Sequence, residues 1–66
     1  MKISVNGRTA EIAEGTTVEG LLKTLGIPLQ GIAVELNGEI VPSGEHPRAA
    51  LKEADSIEIV RMVGGG

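Results

Sequence analysis

A two-layer α+β domain, with one main helix packed across a mixed sheet of four to five strands, is the fold class this sequence predicts. Three observations predict it. Asn6-Gly7 and Asn37-Gly38 each stand between alternating apolar and polar residues, the mark of a tight β-hairpin. A single stretch, Val18 to Leu25, carries apolar residues at helical spacing. A last alternating run, Ser56 to Val63, leads straight into Gly64-Gly65-Gly66.

In chain order, Lys2 to Asn6 reads as the first strand, with Ile3 and Val5 on one face and Lys2 and Ser4 on the other. Asn6 and Gly7 both tolerate the positive φ of a type I′ turn, so the chain reverses there. Arg8 to Ala13 returns as the second strand, with Ala10 and Ile12 beside Ile3 and Val5. Glu14-Gly15 breaks it. Thr16, with Glu19 three residues later, matches a capping box and predicts the helix start. Val18, Leu21, Leu22 and Leu25 then form one apolar stripe. Gly20 weakens this helix by roughly 1 kcal/mol relative to Ala and suggests close packing on the sheet. Gly26 reads as a left-handed cap, and Ile27-Pro28 prevents continuation.

Ile32, Val34 and Leu36 alternate with Ala33 and Glu35, and the second Asn-Gly pair turns this strand into Glu39-Ile40-Val41-Pro42. Pro42 cannot donate to a ladder, which makes that strand short or an edge. Ser43 to Asp55 reads as a loop with one helical turn around Arg48 to Lys52. The last strand places Ile57 and Ile59 on one face and Glu58, Val60 and Met62 on the other. A right-handed crossover through the helix from the second strand would place a later strand parallel in the same sheet. This order fits the β-grasp, with residues 1–63 as the domain and 64–66 as a flexible glycine tail.

Composition narrows the function classes. Sixty-six residues leave room for one core, and that core is aliphatic because the chain has no Phe, Tyr or Trp. With no cysteine and one histidine, a disulfide framework or thiolate metal site is excluded, and no metal is expected. A net charge of −3 with scattered basic residues offers neither a cationic stripe nor stacking platforms for nucleic acid. It suits docking onto a basic protein partner. No apolar run suggests a secretory signal or a membrane span, so the expected compartment is the cytoplasm.

Conventional catalytic sets are missing, and no phosphate-binding loop is present. His46 reads as a surface loop residue without a role, and Asp55 and the glutamates as solvent-facing, with no spacing that pairs two of them for acid–base work. The glycine segment is different. Three glycines after a strand bury nothing and are costly to order, yet they thread through a narrow channel and admit close approach on both sides. At about 3.3 Å per residue they project the terminal carboxylate roughly 10 Å beyond the sheet.

The stretch Val34-Glu35-Leu36-Asn37-Gly38-Glu39-Ile40-Val41-Pro42, the run from Leu51 to Gly66, Gly15-Thr16-Thr17-Val18 and Leu21-Leu22 together resemble the ThiS family, the thiamine-pathway sulfur carriers. Ala54 departs from that pattern, standing where the family usually has glycine before Asp55. Ser43 to Pro47 also differs from the family's usual loop, which often carries a basic residue and a tryptophan. The resemblance implies a ubiquitin-like β-grasp protein that is a co-substrate of enzymes and not itself an enzyme. A ThiF-like adenylyltransferase would join Gly66 to AMP, with Gly64, Gly65 and Gly66 lying in the partner's channel. A persulfide sulfur donor would then convert the acyl-adenylate into a thiocarboxylate, and a ThiG-like thiazole synthase would accept the sulfur. No cofactor would be bound beyond this covalent modification of Gly66, and the free protein is expected to be a monomer. The same tail is common to carriers for molybdopterin synthesis, cysteine synthesis and tRNA thiolation. It also fits a ubiquitin-like tag forming an isopeptide, or a β-grasp binding module.

Overall fold

A computed structural model describes residues 1–62. The alternation of the first segment becomes β1 (Lys2–Val5) and β2 (Arg8–Glu11), paired antiparallel with Val5 opposite Arg8. Asn6 and Gly7 take φ of 50° and 84°, the pair of positive angles that a type I′ turn needs. The second Asn-Gly pair repeats the device, with φ of 51° and 87°. It joins β3 (Ile32–Leu36) to β4 (Glu39–Val41). Pro42 follows β4 directly, and β4 is indeed a short edge strand.

Between the hairpins lies α1 (Val18–Leu25). Its N-cap is Thr17, one residue later than the sequence pattern suggests. Thr17 is extended and its hydroxyl accepts from the Gly20 N–H at 3.1 Å, while the Thr16 hydroxyl donates back to the Ala13 carbonyl at 2.6 Å. Gly20 thus holds the third helical position and supplies no reciprocal side chain, and Glu19 pairs instead with Lys23 one turn on at 3.5 Å. The other free donors at this end are taken by a distant segment: Val18 N–H by the Ala49 carbonyl at 2.9 Å, Glu19 N–H by that of His46 at 3.0 Å. At the far end Gly26, with φ of 72°, donates to Lys23, and Ile27 N–H reaches the Leu22 carbonyl at 2.9 Å. This is a Schellman motif.

The last strand, β5 (Ser56–Arg61), runs between the two hairpins, giving the sheet order β2-β1-β5-β3-β4. It is parallel to β1 and antiparallel to β3. Helix α1 covers one face. Val18, Leu21 and Leu22 pack there with Ile3, Val34, Leu51 and Ile57 in an aliphatic core. Leu25, expected in this stripe, is 45% exposed, because the helix ends there and the chain turns at Gly26. Gly20 is not required by close approach, since an added Cβ would meet Thr17 and Thr16 atoms at 3.5 and 3.7 Å, ordinary contact distances.

The segment after β4 differs from the sequence expectation. A 3₁₀ turn spans Ser43–Glu45, and no helical turn forms around Arg48 to Lys52. Thr17 and Ala50 form a β-bridge, and Leu51 N–H donates to the Thr16 carbonyl at 2.9 Å. The turn continues through Arg48, whose N–H reaches the Glu45 carbonyl at 2.9 Å, and capping the helix and burying Leu51 then hold residues 49–51 extended, against their local helical propensity.

Candidate functional site

The predicted site residues Gly64, Gly65 and Gly66 lie outside the described residues. The structure supplies the strand that leads to them. Because β5 is the central strand, its position is set from both sides, and side chains extend the pairing where the backbone of β1 stops short.

At the start of β5, the Asn37 amide oxygen accepts from Ser56 N–H at 2.9 Å, and its Nδ2 donates to Asp55 Oδ1 at 3.0 Å. Asp55 Oδ2 accepts from Lys52 N–H at 2.7 Å. Burial pushes the Asp55 carboxyl up, but the hydrogen bonds from Asn37 and Lys52 and the Lys52 charge together hold it below its ordinary value. Asp55 is therefore a buried structural acid, and its reading as a solvent-facing residue is corrected. Its two oxygens are occupied with fastening the loop to the strand.

Midway along β5, parallel pairing with β1 ends at Val5 and Ile57. The Asn6 side chain continues the ladder as a peptide-like group. Its Oδ1 accepts from Ile59 N–H at 2.7 Å and its Nδ2 donates to the Ile59 carbonyl at 3.2 Å. Beyond Ile59 only the β3 side still holds the strand, through the Ile32–Arg61 pair and a 2.8 Å bond from Met62 N–H to the Gly31 carbonyl. Residues 59–62 are thus held in a fixed direction along the β3 edge, with the glycines following in sequence.

His46, read from sequence as exposed, is buried under the N-terminus of α1, with Nε2 3.1 Å from the Val41 carbonyl. It has a structural role, joining β4 to the helix cap. Among the described residues no three His, Cys, Asp or Glu side chains gather as a metal site, and no cavity opens. No described helix is long and apolar enough to cross a membrane. What the described part offers is a rigid platform that presents the end of one strand.

A mixed five-stranded sheet in this order, crossed by one helix and issuing its central strand into a glycine segment, defines a ubiquitin-like β-grasp domain. The chain belongs to the ThiS family, whose model matches residues 3–66. It is 38% identical over 53 residues to the sulfur carrier protein ThiS of Thermus thermophilus, covering 80% of this chain and 83% of that one. The crystal structure of the thiamine biosynthesis protein ThiS from Geobacter metallireducens superposes over 100% of both chains with a TM-score of 0.87 at 32% identity. A thiazole synthase of Magnetococcus marinus is 44% identical over all 66 residues. The chain spans only 20% of the length of the thiazole synthases it matches.

Proposed function

We propose that this chain is a sulfur carrier for thiazole formation in thiamine biosynthesis, with the Gly66 carboxylate as the group that is loaded. The family match carries the reading, because it runs through residue 66 and so includes the glycine segment. The held direction of residues 59–62 supports it physically. A rigid domain followed by side-chain-free residues delivers a carboxylate into a partner's channel without ordering bulky groups there.

A carboxylate is a poor electrophile, so a ThiF-like adenylyltransferase first transfers AMP from ATP to Gly66 and releases pyrophosphate. The terminal sulfur of a persulfide then attacks the acyl carbon and AMP leaves. A thiol cleaves the resulting acyl disulfide, which leaves a thiocarboxylate on Gly66 and a disulfide on the donor side. The thiocarboxylate sulfur is a soft nucleophile for thiazole synthase. Relatives in which this domain forms part of a thiazole synthase chain support that enzyme as the acceptor. In this scheme the chain is a co-substrate, and Gly64 and Gly65 thread through the channel of each enzyme in turn.

Intact-mass measurement of the protein recovered from its own cells tests the proposal. A species heavier by the difference between one sulfur and one oxygen, and lost on mild hydrolysis, is expected. Conjugates to other proteins through Gly66 would instead indicate a ubiquitin-like tag, and an unmodified mass under thiamine starvation would count against a carrier.

A further inference from the structure

The two Asn-Gly pairs close the hairpins, and the same dipeptide carries a chemistry of its own. The backbone nitrogen that follows an asparagine can attack the side-chain amide carbon: the N–C bond forms, ammonia leaves, and water opens the resulting succinimide to aspartate or isoaspartate. Glycine favours the attack because no Cβ shields its nitrogen. Asn6-Gly7 and Asn37-Gly38 are both exposed at hairpin tips, so access of water does not separate them. What each amide touches does.

Asn37 is tied to β5 three times. Its N–H donates to the Ser56 carbonyl at 2.7 Å, its Oδ1 accepts from Ser56 N–H at 2.9 Å, and its Nδ2 donates to Asp55 Oδ1 at 3.0 Å. Both side-chain bonds must break before the amide turns toward the Gly38 nitrogen. The product fits this place badly. An aspartate at 37 keeps the bond from Ser56 N–H with one oxygen and points the other, which is no longer a donor, at the Asp55 carboxylate. Asp55 is only 5% exposed, and its second oxygen is taken by Lys52 N–H. Two carboxylates at hydrogen-bond distance do not both stay ionised in such a place. Isoaspartate goes further, because it lengthens the backbone at the turn and disturbs the register of β3 against β4. At Asn6 the loss is smaller, a neutral 3.2 Å bond to the Ile59 carbonyl.

We infer that Asn37-Gly38 is a deamidation site guarded by Asp55, and that its conversion to aspartate or isoaspartate unfastens the start of β5 from the hairpin. Guard and damage share one contact. The Asn37–Asp55 bond slows the reaction and, once the amide is lost, becomes the repulsion. Water is the only co-reactant and ammonia the only leaving group, so an ageing chain carries the change at the head of the strand that leads to the glycines.

The full chain is incubated in mildly alkaline buffer, folded or in denaturant, and peptide mapping by mass follows the amide-to-acid change at residues 37 and 6. Conversion at Asn37 should be at least about tenfold slower in the folded chain. Asp55→Ala should speed it relative to conversion at Asn6 in the same molecules, an internal reference for any general loss of stability. Asn37→Asp, the product itself, should have a lower Tm than the parent at neutral pH. The carboxyl pair holds a shared proton in the folded state that the unfolded chain gives up, so the deficit should shrink as pH falls and that proton is supplied. Hydrogen exchange at Ser56 should be at least about tenfold faster in Asn37→Asp and within about twofold of the parent in Asn6→Asp. Equal conversion of Asn37 in folded and denatured chains would overturn the proposal. So would an unchanged ratio of Asn37 to Asn6 conversion in Asp55→Ala, or a Tm for Asn37→Asp equal to the parent's at neutral pH. None of these readouts involves an adenylyltransferase, so they are independent of the carrier reading.

Discussion

Ala54 has φ of 72°, in the left-handed region where a Cβ crowds the following carbonyl. Its conformation is fixed from both sides: its N–H donates to the Lys2 carbonyl at 2.8 Å, and the next residue is the buried Asp55. The chain cannot relax without losing the fastening of β5. For an ordinary residue this conformation costs about 1–2 kcal/mol. Replacing Ala54 by glycine removes that cost and adds back roughly 0.5–1 kcal/mol of unfolded-chain entropy. The net gain expected for Ala54→Gly is about 0.5–1 kcal/mol, a rise of roughly 2–8 °C in Tm for a domain of this size. Differential scanning calorimetry at neutral pH measures it. A midpoint equal to or below the parent's would mean that Ala54 is unstrained or that the loop takes another path.

Leu22→Ala should cost about 2–5 kcal/mol in denaturant titration, since Leu22 is fully buried in a core with no aromatic to fill the void. Asn6→Gly keeps the turn and deletes the clamp, so the Ile59 amide should lose hydrogen-exchange protection at a cost of about 1–3 kcal/mol, two hydrogen bonds; unchanged protection at Ile59 would show that β5 is held otherwise. Asp55 has a folded pKa below the ordinary 3.8, so its contribution is present above that pH and is lost as pH falls through the lower folded value. Asp55→Asn should therefore lower Tm at neutral pH and flatten the acid limb of the stability profile.

Local chemistry made much of this fold legible. Each Asn-Gly pair adopts the two positive φ angles its residues favour, Gly26 closes the helix, and the alternation of β1, β3 and β5 matches what is buried. The departures at the helix start and in the segment after β4 share a physical origin, because contacts distant in sequence decide them. The capping-box pattern pointed to Thr16, but carbonyls of His46 and Ala49 satisfy the helix start and leave Thr17 as the cap. The same contacts draw the segment around Ala50 into a bridge with Thr17 and bury His46. Asn6 and Asn37 were visible as turn formers, while their second task of holding β5 depends on that strand lying between the hairpins. The glycine segment is legible in the sequence as a candidate, and its proposed roles rest on the family match and on the strand that leads to it.

Adenylation of the glycine segment is the step on which the account depends. Pyrophosphate release by the adenylyltransferase with ATP, measured for the parent and for a chain lacking Gly65 and Gly66, tests it most directly, with Lys23→Gln on the solvent face of α1 as a control. Release is expected with the parent and with Lys23→Gln and none with the shortened chain, whose Tm should stay within about 2 °C of the parent. Equal release with the shortened chain would contradict it.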